Sequence, residues 1–155
     1  MTISTKGRYA LRIMIDLAEN CNGAFIPMKT VAERQGLSLK YIEHILSVLK
    51  QNNFVEGIHG KGGGYRLTRK PEEYTVGEIL RLVEGDLAPV ACLECGAKPC
   101  EKVNQCRTIS MWRDLQNLID NFFDGITIKD LMLDASNCSS GIDISFLDAP
   151  LQRRV

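Results

Sequence analysis

Between residues 92 and 106 the chain reads CLECGAKPCEKVNQC, which places four of its six cysteines within one short stretch. Apolar core cysteines have no reason to crowd in this way. A segment this rich in thiols, broken by a glycine and a proline, is therefore expected to be a loop and not a core element. Its thiolates, spaced two to five residues apart, can turn inward on one soft metal ion or cluster. Whatever else the chain builds has to lie before and after this loop, and that divides it into two unequal helical parts.

The compartment decides how such thiols are read. The longest apolar stretch, around Leu11 to Ala18, is interrupted by Arg12 and Asp16, far short of the roughly 18 to 20 uninterrupted residues that a membrane span needs. The opening MTISTKGRYAL has no apolar core of a secretory signal. The expected location is the cytoplasm, where thiols stay reduced and clustered cysteines serve metal or redox chemistry more often than disulfides. At 155 residues the chain suits one or two small domains.

Charge is divided along the chain. Residues 1 to 70 carry eleven lysines and arginines against five acids, a net of +6, and because the whole chain has a net charge of +0 the remainder stands at −6. A basic half joined to an acidic half suits a polyanion-binding module attached to a sensor or partner segment, although a solvated surface face would have the same composition.

The N-terminal half has the periodicity of such a module. Ser4 or Thr5 can cap a helix whose apolar residues, Tyr9 through Ala18, cover much of its circumference, as in a central buried helix. The isolated Cys21 beyond it is expected to serve packing. Lys29 to Gln35 makes a short helix ended by Gly36, and Ser38 caps a longer one, LKYIEHILSVLKQNN, in which Ile42, Ile45, Leu46 and Leu49 face a core. A short helix, a glycine turn and a capped second helix form a helix-turn-helix, which sets the start of the second helix in a DNA major groove. Glu43 could accept from a cytosine amino group. Ser38, Lys40 and Tyr41 could reach phosphate or base, with His44 on the same exposed face.

Phe54-Val55 and Tyr65-Leu67 can pair as strands around EGIHGKGGG, a wing whose tip carries His59 and Lys61. Its glycines allow backbone to approach phosphate or a narrow minor groove. The same residues fail both nucleotide-loop signatures, since no Ser or Thr follows Lys61 and the G-x-G-x-x-G spacing breaks at Tyr65. After Tyr74-Thr75 a helix, VGEILRLVEG, closes this unit. Beyond Cys106, Ile109, Trp112, Leu115, Leu118, Ile119 and Phe122 recur at spacings of three or four on a long helix that needs a partner, most simply a second copy of the chain. Thr127 can cap a final turn, IKDLML. The expected fold class is mainly α with a small β-wing: residues 1–85 a winged helix-turn-helix DNA-binding domain, 86–107 a connector and cysteine loop, 108–133 a dimerisation helix and last turn, and 134–155 a mostly disordered tail.

The order GRYALRIMIDLA, ERQGLSLKYIEHILSVLKQNNFV, GKGGGYRL and the cysteine loop followed by MWRDL resembles the IscR-type winged-helix iron-sulfur regulators, with the NsrR and CymR types as relatives. The likeness runs over about residues 1 to 133. It implies a non-enzymatic, homodimeric transcription factor that binds a palindromic double-stranded operator and senses cluster status, redox state or nitric oxide, controlling iron-sulfur assembly genes. In the family three cysteines bind the cluster, and by position these are Cys106, Cys100 and either Cys92 or Cys95. The family's recognition-helix and wing residues fall on Ser38, Lys40, Tyr41, Glu43, His59 and Lys61.

The departures are as informative. The IscR pattern has a histidine ligand three residues after the last cysteine, where this chain has Ile109, and other relatives use a carboxylate or histidine near the start of the first helix, where this chain has Arg8 and Arg12. An aliphatic side chain cannot bind iron and a guanidinium stays protonated. The additional cysteine of Cys92-x-x-Cys95 fills the vacancy most simply, giving Cys92, Cys95, Cys100 and Cys106 as the metal set; three cysteines plus a ligand from the partner subunit or solvent is the alternative. Four thiolates suit a 2Fe-2S cluster, preferred here over 4Fe-4S, and also suit zinc. The alternative to a cluster sensor is a zinc-bound or cluster-free thiol switch controlling cysteine metabolism. A dithiol redox enzyme is disfavoured by the lack of any cofactor fingerprint.

Overall fold

The structure, a computed structural model, describes residues 2–21, 23–98 and 100–134. Within them the chain is mostly helical, with one two-stranded antiparallel sheet.

Helix α1 (Thr5–Glu19) runs through the centre of the domain. Ser4 caps it, its hydroxyl accepting from the backbone N–H groups of Lys6 and Gly7, and Ala10, Ile13, Met14 and Leu17 are fully buried. Helix α2 (Met28–Gln35) ends at Gly36, whose φ of 65° gives the left-handed cap that glycine adopts without a Cβ penalty. Helix α3 (Leu39–Gln51) follows directly, and its stripe Ile42, Ile45, Leu46 and Leu49 is fully buried in the core it shares with α1, α2, α4 and β1. Each such aliphatic side chain contributes about 1.5–3 kcal/mol through burial, so the apolar spacing of α3 is sufficient to fix its rotation.

Strands β1 (Val55–Ile58) and β2 (Gly64–Leu67) pair with Val55 opposite Leu67 and Ile58 opposite Gly64. Ile26 adds a bridge to Tyr65, exchanging N–H···O bonds of 2.9 and 2.8 Å. Gly64 is required there, because a Cβ would collide with the Ile26 carbonyl. A short 3₁₀ turn (Pro71–Glu73) leads to α4 (Val76–Glu84), which packs on α1. After the cysteine loop, α5 (Ile109–Asp124) returns against α4, and α6 (Ile128–Asp134) packs on α1 with Ile128 fully buried. Among the described residues no helix is long and apolar enough to cross a membrane.

Buried Asp16 is a charge in the core that is not explained by its own helix. Its carboxylate accepts from Arg34 Nε at 2.9 Å and Nη2 at 2.5 Å, and from Gln35 Nε2 at 2.9 Å. The pair fastens α2 to α1 and raises the Arg34 pKa, chiefly through the side-chain hydrogen bond to Asp16. Cys21 departs from the packing role expected for it: α1 ends at Glu19 with Asn20 as C-cap, and the thiol two residues past the helix is exposed. Residues 135–155, where a disordered tail with Cys138 is expected, lie outside the described residues.

Candidate nucleic-acid interface and cysteine loop

The turn between α2 and α3 sets up the exposed face. The Ser38 hydroxyl accepts from the Tyr41 N–H at 3.3 Å, satisfying one of the otherwise open donors at the start of α3. Because Ile42, Ile45, Leu46 and Leu49 claim the inward side, Ser38, Lys40, Glu43, His44 and Ser47 project to solvent. Glu43 forms no salt bridge among the described residues, which leaves its carboxylate open to an external donor. Tyr41 differs from the others: it is half-buried, its ring edge-on to Tyr9 of α1 at 5.9 Å between centroids. The sequence presents it as a contact residue, and the structure gives it a packing duty as well.

The wing stands beside this helix. His59 and Lys61 are both exposed at its tip, on either side of Gly60; Gly60 and Gly62 have φ of 98° and 80°, and the Gly63 N–H donates to the Gly60 carbonyl at 2.9 Å to close the turn. Three residues not singled out in the sequence hold the wing in place. Lys50, at the end of α3, donates to the Gly57 carbonyl at 3.2 Å. Arg66 pairs across the strands with Glu56 at 2.6 Å and lies over the Phe25 ring at 4.4 Å. Fully buried Tyr74 donates its hydroxyl to the Phe54 carbonyl at 2.8 Å and accepts from the N–H groups of Thr68 and Arg69 at 3.0 and 2.8 Å. Only a buried aromatic with its polar end beside the sheet's exit could have signalled this role, and periodicity carries no such signal.

The cysteine loop begins where α4 ends. Short 3₁₀ turns at Ala91–Leu93 and Val103–Gln105 shape it, and Pro99 lies outside the described residues. Cys92, Cys95 and Cys100 are exposed, Cys106 is half-buried, and all four thiols are free. Among the described residues no three potential ligands converge, so the loop does not itself gather the four sulfurs that spacing alone suggests could meet. The donor set nevertheless fits a soft metal or cluster: free, solvent-reachable thiols that no disulfide holds. The Cys106 thiol pKa is lowered, first by the Thr108 hydroxyl 3.5 Å away and then by the backbone at Thr108 and Ile109. Ile109 sits half-buried in the first turn of α5. Arg8 reaches Thr5, and Arg12 donates to Gln35 at 3.0 Å and lies over the Tyr9 ring, so both guanidiniums are engaged on their own face.

A helix-turn-helix whose second helix presents a polar, exposed face, with an adjoining wing, defines a winged-helix protein of the DNA-binding kind. Comparison with known proteins agrees. The model of the Rrf2 family, described as an iron-dependent transcriptional regulator, matches residues 3–134. The HTH-type transcriptional regulator IscR of Aliivibrio salmonicida is 38% identical over 134 residues, covering 86% of this chain and 79% of that one. Among solved structures, CymR, the global cysteine regulator of B. subtilis, superposes with a TM-score of 0.72 at 32% identity over 85% of this chain and 96% of that one. The IscR of T. potens superposes with a TM-score of 0.67 at 32% identity over 94% of this chain and 96% of that one. The chain belongs to the Rrf2 family of transcriptional regulators, which are not enzymes.

Proposed function

We propose that this protein is a homodimeric cytoplasmic regulator whose affinity for a palindromic DNA operator is set by an iron-sulfur cluster held by Cys92, Cys95, Cys100 and Cys106. The observation that carries the reading is the loop itself: four free thiols, three of them exposed, immediately before a helix whose outer face is apolar. No structural duty explains them. Likeness to IscR makes a cluster the preferred occupant, 2Fe-2S ahead of 4Fe-4S, and genes of iron-sulfur cluster assembly the preferred targets.

The division of labour follows the chain. Residues 1–85 bind DNA, with Glu43 reading a base edge, Ser38, Lys40, Tyr41 and His44 completing the contact of α3, and His59 and Lys61 of the wing meeting phosphate or minor groove. Residues 86–107 form the sensor loop, and 108–133 the dimer helix. On α5, Met111, Leu115 and Leu118 are 52, 37 and 62% exposed at spacings of four and three, a continuous stripe suited to a second copy of the same helix. Two-fold symmetry then presents two recognition helices to half-sites about 34–36 Å apart. A bound cluster supplies a change of charge and ligation on oxidation, reaction with nitric oxide or loss of iron. The chain's part is to hold the thiolates and to let the loop conformation bias the two DNA-binding units, so the response is limited to the difference in affinity between the two states.

Purification without air followed by an absorption spectrum and metal analysis tests the cofactor, and salt titration of binding to a palindromic duplex tests the DNA contact. A brown protein with steeply salt-dependent binding is the expected result. A colourless protein with no iron and no duplex affinity would overturn it. Two observations favour a second reading: CymR superposes with a higher TM-score than the T. potens IscR, and Ile109 stands where the IscR pattern has a ligand. A colourless, zinc-containing or metal-free protein that still binds DNA would select a thiol switch of cysteine metabolism.

A further inference from the structure

The last turn of α4 and the two residues after it carry three side chains that fasten three different elements. Arg81 pairs with Asp120 of α5 at 3.0 Å and with Asp124. Glu84 Oε1 accepts from the Ser4 N–H at 3.1 Å, the Ser4 hydroxyl at 2.6 Å and the Gly7 N–H at 2.8 Å, all at the N-terminus of α1. Asp86 accepts from the Ala88 N–H at 2.7 Å through one oxygen and from the Cys95 N–H through the other, so it grips the cysteine loop at the backbone of its second cysteine. Gly85, between Glu84 and Asp86, has φ 88° and ψ −131°, a conformation that favours glycine and that sends the two carboxylates to different partners. Gly7 belongs to the same arrangement: a Cβ there would overlap the Glu84 carboxylate.

The contacts continue to the DNA-binding face. Two residues beyond Gly7, Tyr9 packs edge-on against Tyr41 at the start of α3. An unbroken series therefore runs from the Cys95 amide through Asp86, Gly85 and Glu84 to the first turn of α1, and through Tyr9 to the recognition helix.

We propose that Glu84 and Asp86 are positioning residues that couple the conformation of the cysteine loop to the placement of α3. Glu84 is the junction: it is a hydrogen-bonded carboxylate clamped to α1, one glycine away from the residue that holds the loop. A loop that rearranges and draws the Cys95 amide off Asp86 releases the turn at Gly85, and the α1 N-terminus with Tyr9 moves with it. The regulatory meaning of this coupling rests on the function proposed above, whereas the mechanical coupling does not.

Amide hydrogen exchange on the full chain, without added metal, tests the mechanical claim. Glu84→Ala is expected to speed exchange at Ser4 and Gly7 by about fivefold or more, and also at Cys95 on one side and around Tyr41 on the other. Glu84→Gln, which keeps an acceptor oxygen, should restore rates close to the parent at all three places. Asp86→Ala should show the same spread beginning from Ala88 and Cys95. Changes confined to residues 3–8 in the first variant and to residues 86–95 in the last would overturn the proposal, since a merely local role predicts that pattern.

Operator binding supplies the second readout. If the iron-loaded parent and its Cys106→Ala variant differ in operator affinity, typically about 5- to 150-fold for coupled sites, Glu84→Ala should bring that ratio close to one, and Glu84→Gln should return it. A ratio unchanged by Glu84→Ala sinks the coupling and leaves the proposed function standing. A parent that binds no duplex sinks the proposed function, and the exchange pattern alone then decides the coupling.

Discussion

The ion pair between Asp16 and Arg34 allows a quantitative test because its two ends sit in different surroundings. The Asp16 side chain is 5% exposed and that of Arg34 is 34% exposed. Arg34→Met leaves a carboxylate inside the domain with only the Gln35 amide as partner, and breaking a buried pair this way costs about 3–5 kcal/mol. Asp16→Ala instead leaves a guanidinium that already reaches water and can be hydrated, so the loss is that of the charge-assisted bonds less the solvent compensation, about 2 kcal/mol. In a chain of this size each kcal/mol moves Tm by about 2–4 °C, so the two variants should fall by roughly 10 °C and 5 °C. The double variant Asp16→Leu with Arg34→Met should recover much of the loss, because an apolar pair carries no desolvation penalty. Urea unfolding at one fixed protein concentration, needed because dimerisation would contribute to stability, gives the three values. An Asp16→Ala variant that loses as much as Arg34→Met would refute the asymmetry, and with it the claim that burial of the carboxylate dominates.

Four other outcomes follow from the site. Glu43→Ala should alter preference among operator variants with little change in salt slope, whereas Lys61→Ala should weaken binding to all duplexes evenly and reduce the slope by about one; operator titrations at several salt concentrations separate them. Cys100→Ala or Cys106→Ala should abolish the iron-sulfur absorption while circular dichroism shows a folded chain, and retained absorption in both would disprove the ligand assignment. Leu118→Asp, on the exposed stripe of α5, should yield monomers in sedimentation and lose palindrome binding by much more than it loses helicity. Tyr74→Phe takes the acceptor from the Arg69 N–H and one donor from the Phe54 carbonyl, which keeps those of Thr68, at a cost of about 1–3 kcal/mol, and should loosen the wing in hydrogen exchange before the helices.

What was legible in the sequence is what local chemistry determines. The apolar spacing of Ile42, Ile45, Leu46 and Leu49, the Gly36 turn and the Ser38 cap place α2 and α3 to within about two residues of where the structure has them, and the glycines after His59 mark the wing. Contacts across long sequence separations left no such trace. Asp16 looks like an interruption of an apolar stretch until Arg34, eighteen residues on, is seen to reach it. Glu84 looks like a polar residue at a helix end, and its partners lie eighty residues earlier. Cysteine is commonly buried, which suggests packing for Cys21, but the end of α1 at Glu19 leaves it exposed.

The cysteine loop shows the same division more sharply. Spacing established that four thiols share one loop, and the structure adds what spacing cannot hold: which of the loop's amides is gripped, and by what. Asp86 takes the Cys95 amide, while Cys106 leads into α5 through Thr108. One end of the loop is thus tied to the turn that clamps α1, and the other to the helix whose exposed apolar stripe carries the proposed dimer contact. On the proposed function, a change of shape between those ends has two exits, toward the recognition helix of its own subunit and toward a second copy. The proposed intramolecular exit uses the contacts of Asp86 with the Cys95 amide and of Glu84 with Gly7, whereas a response carried only through α5 would survive Glu84→Ala.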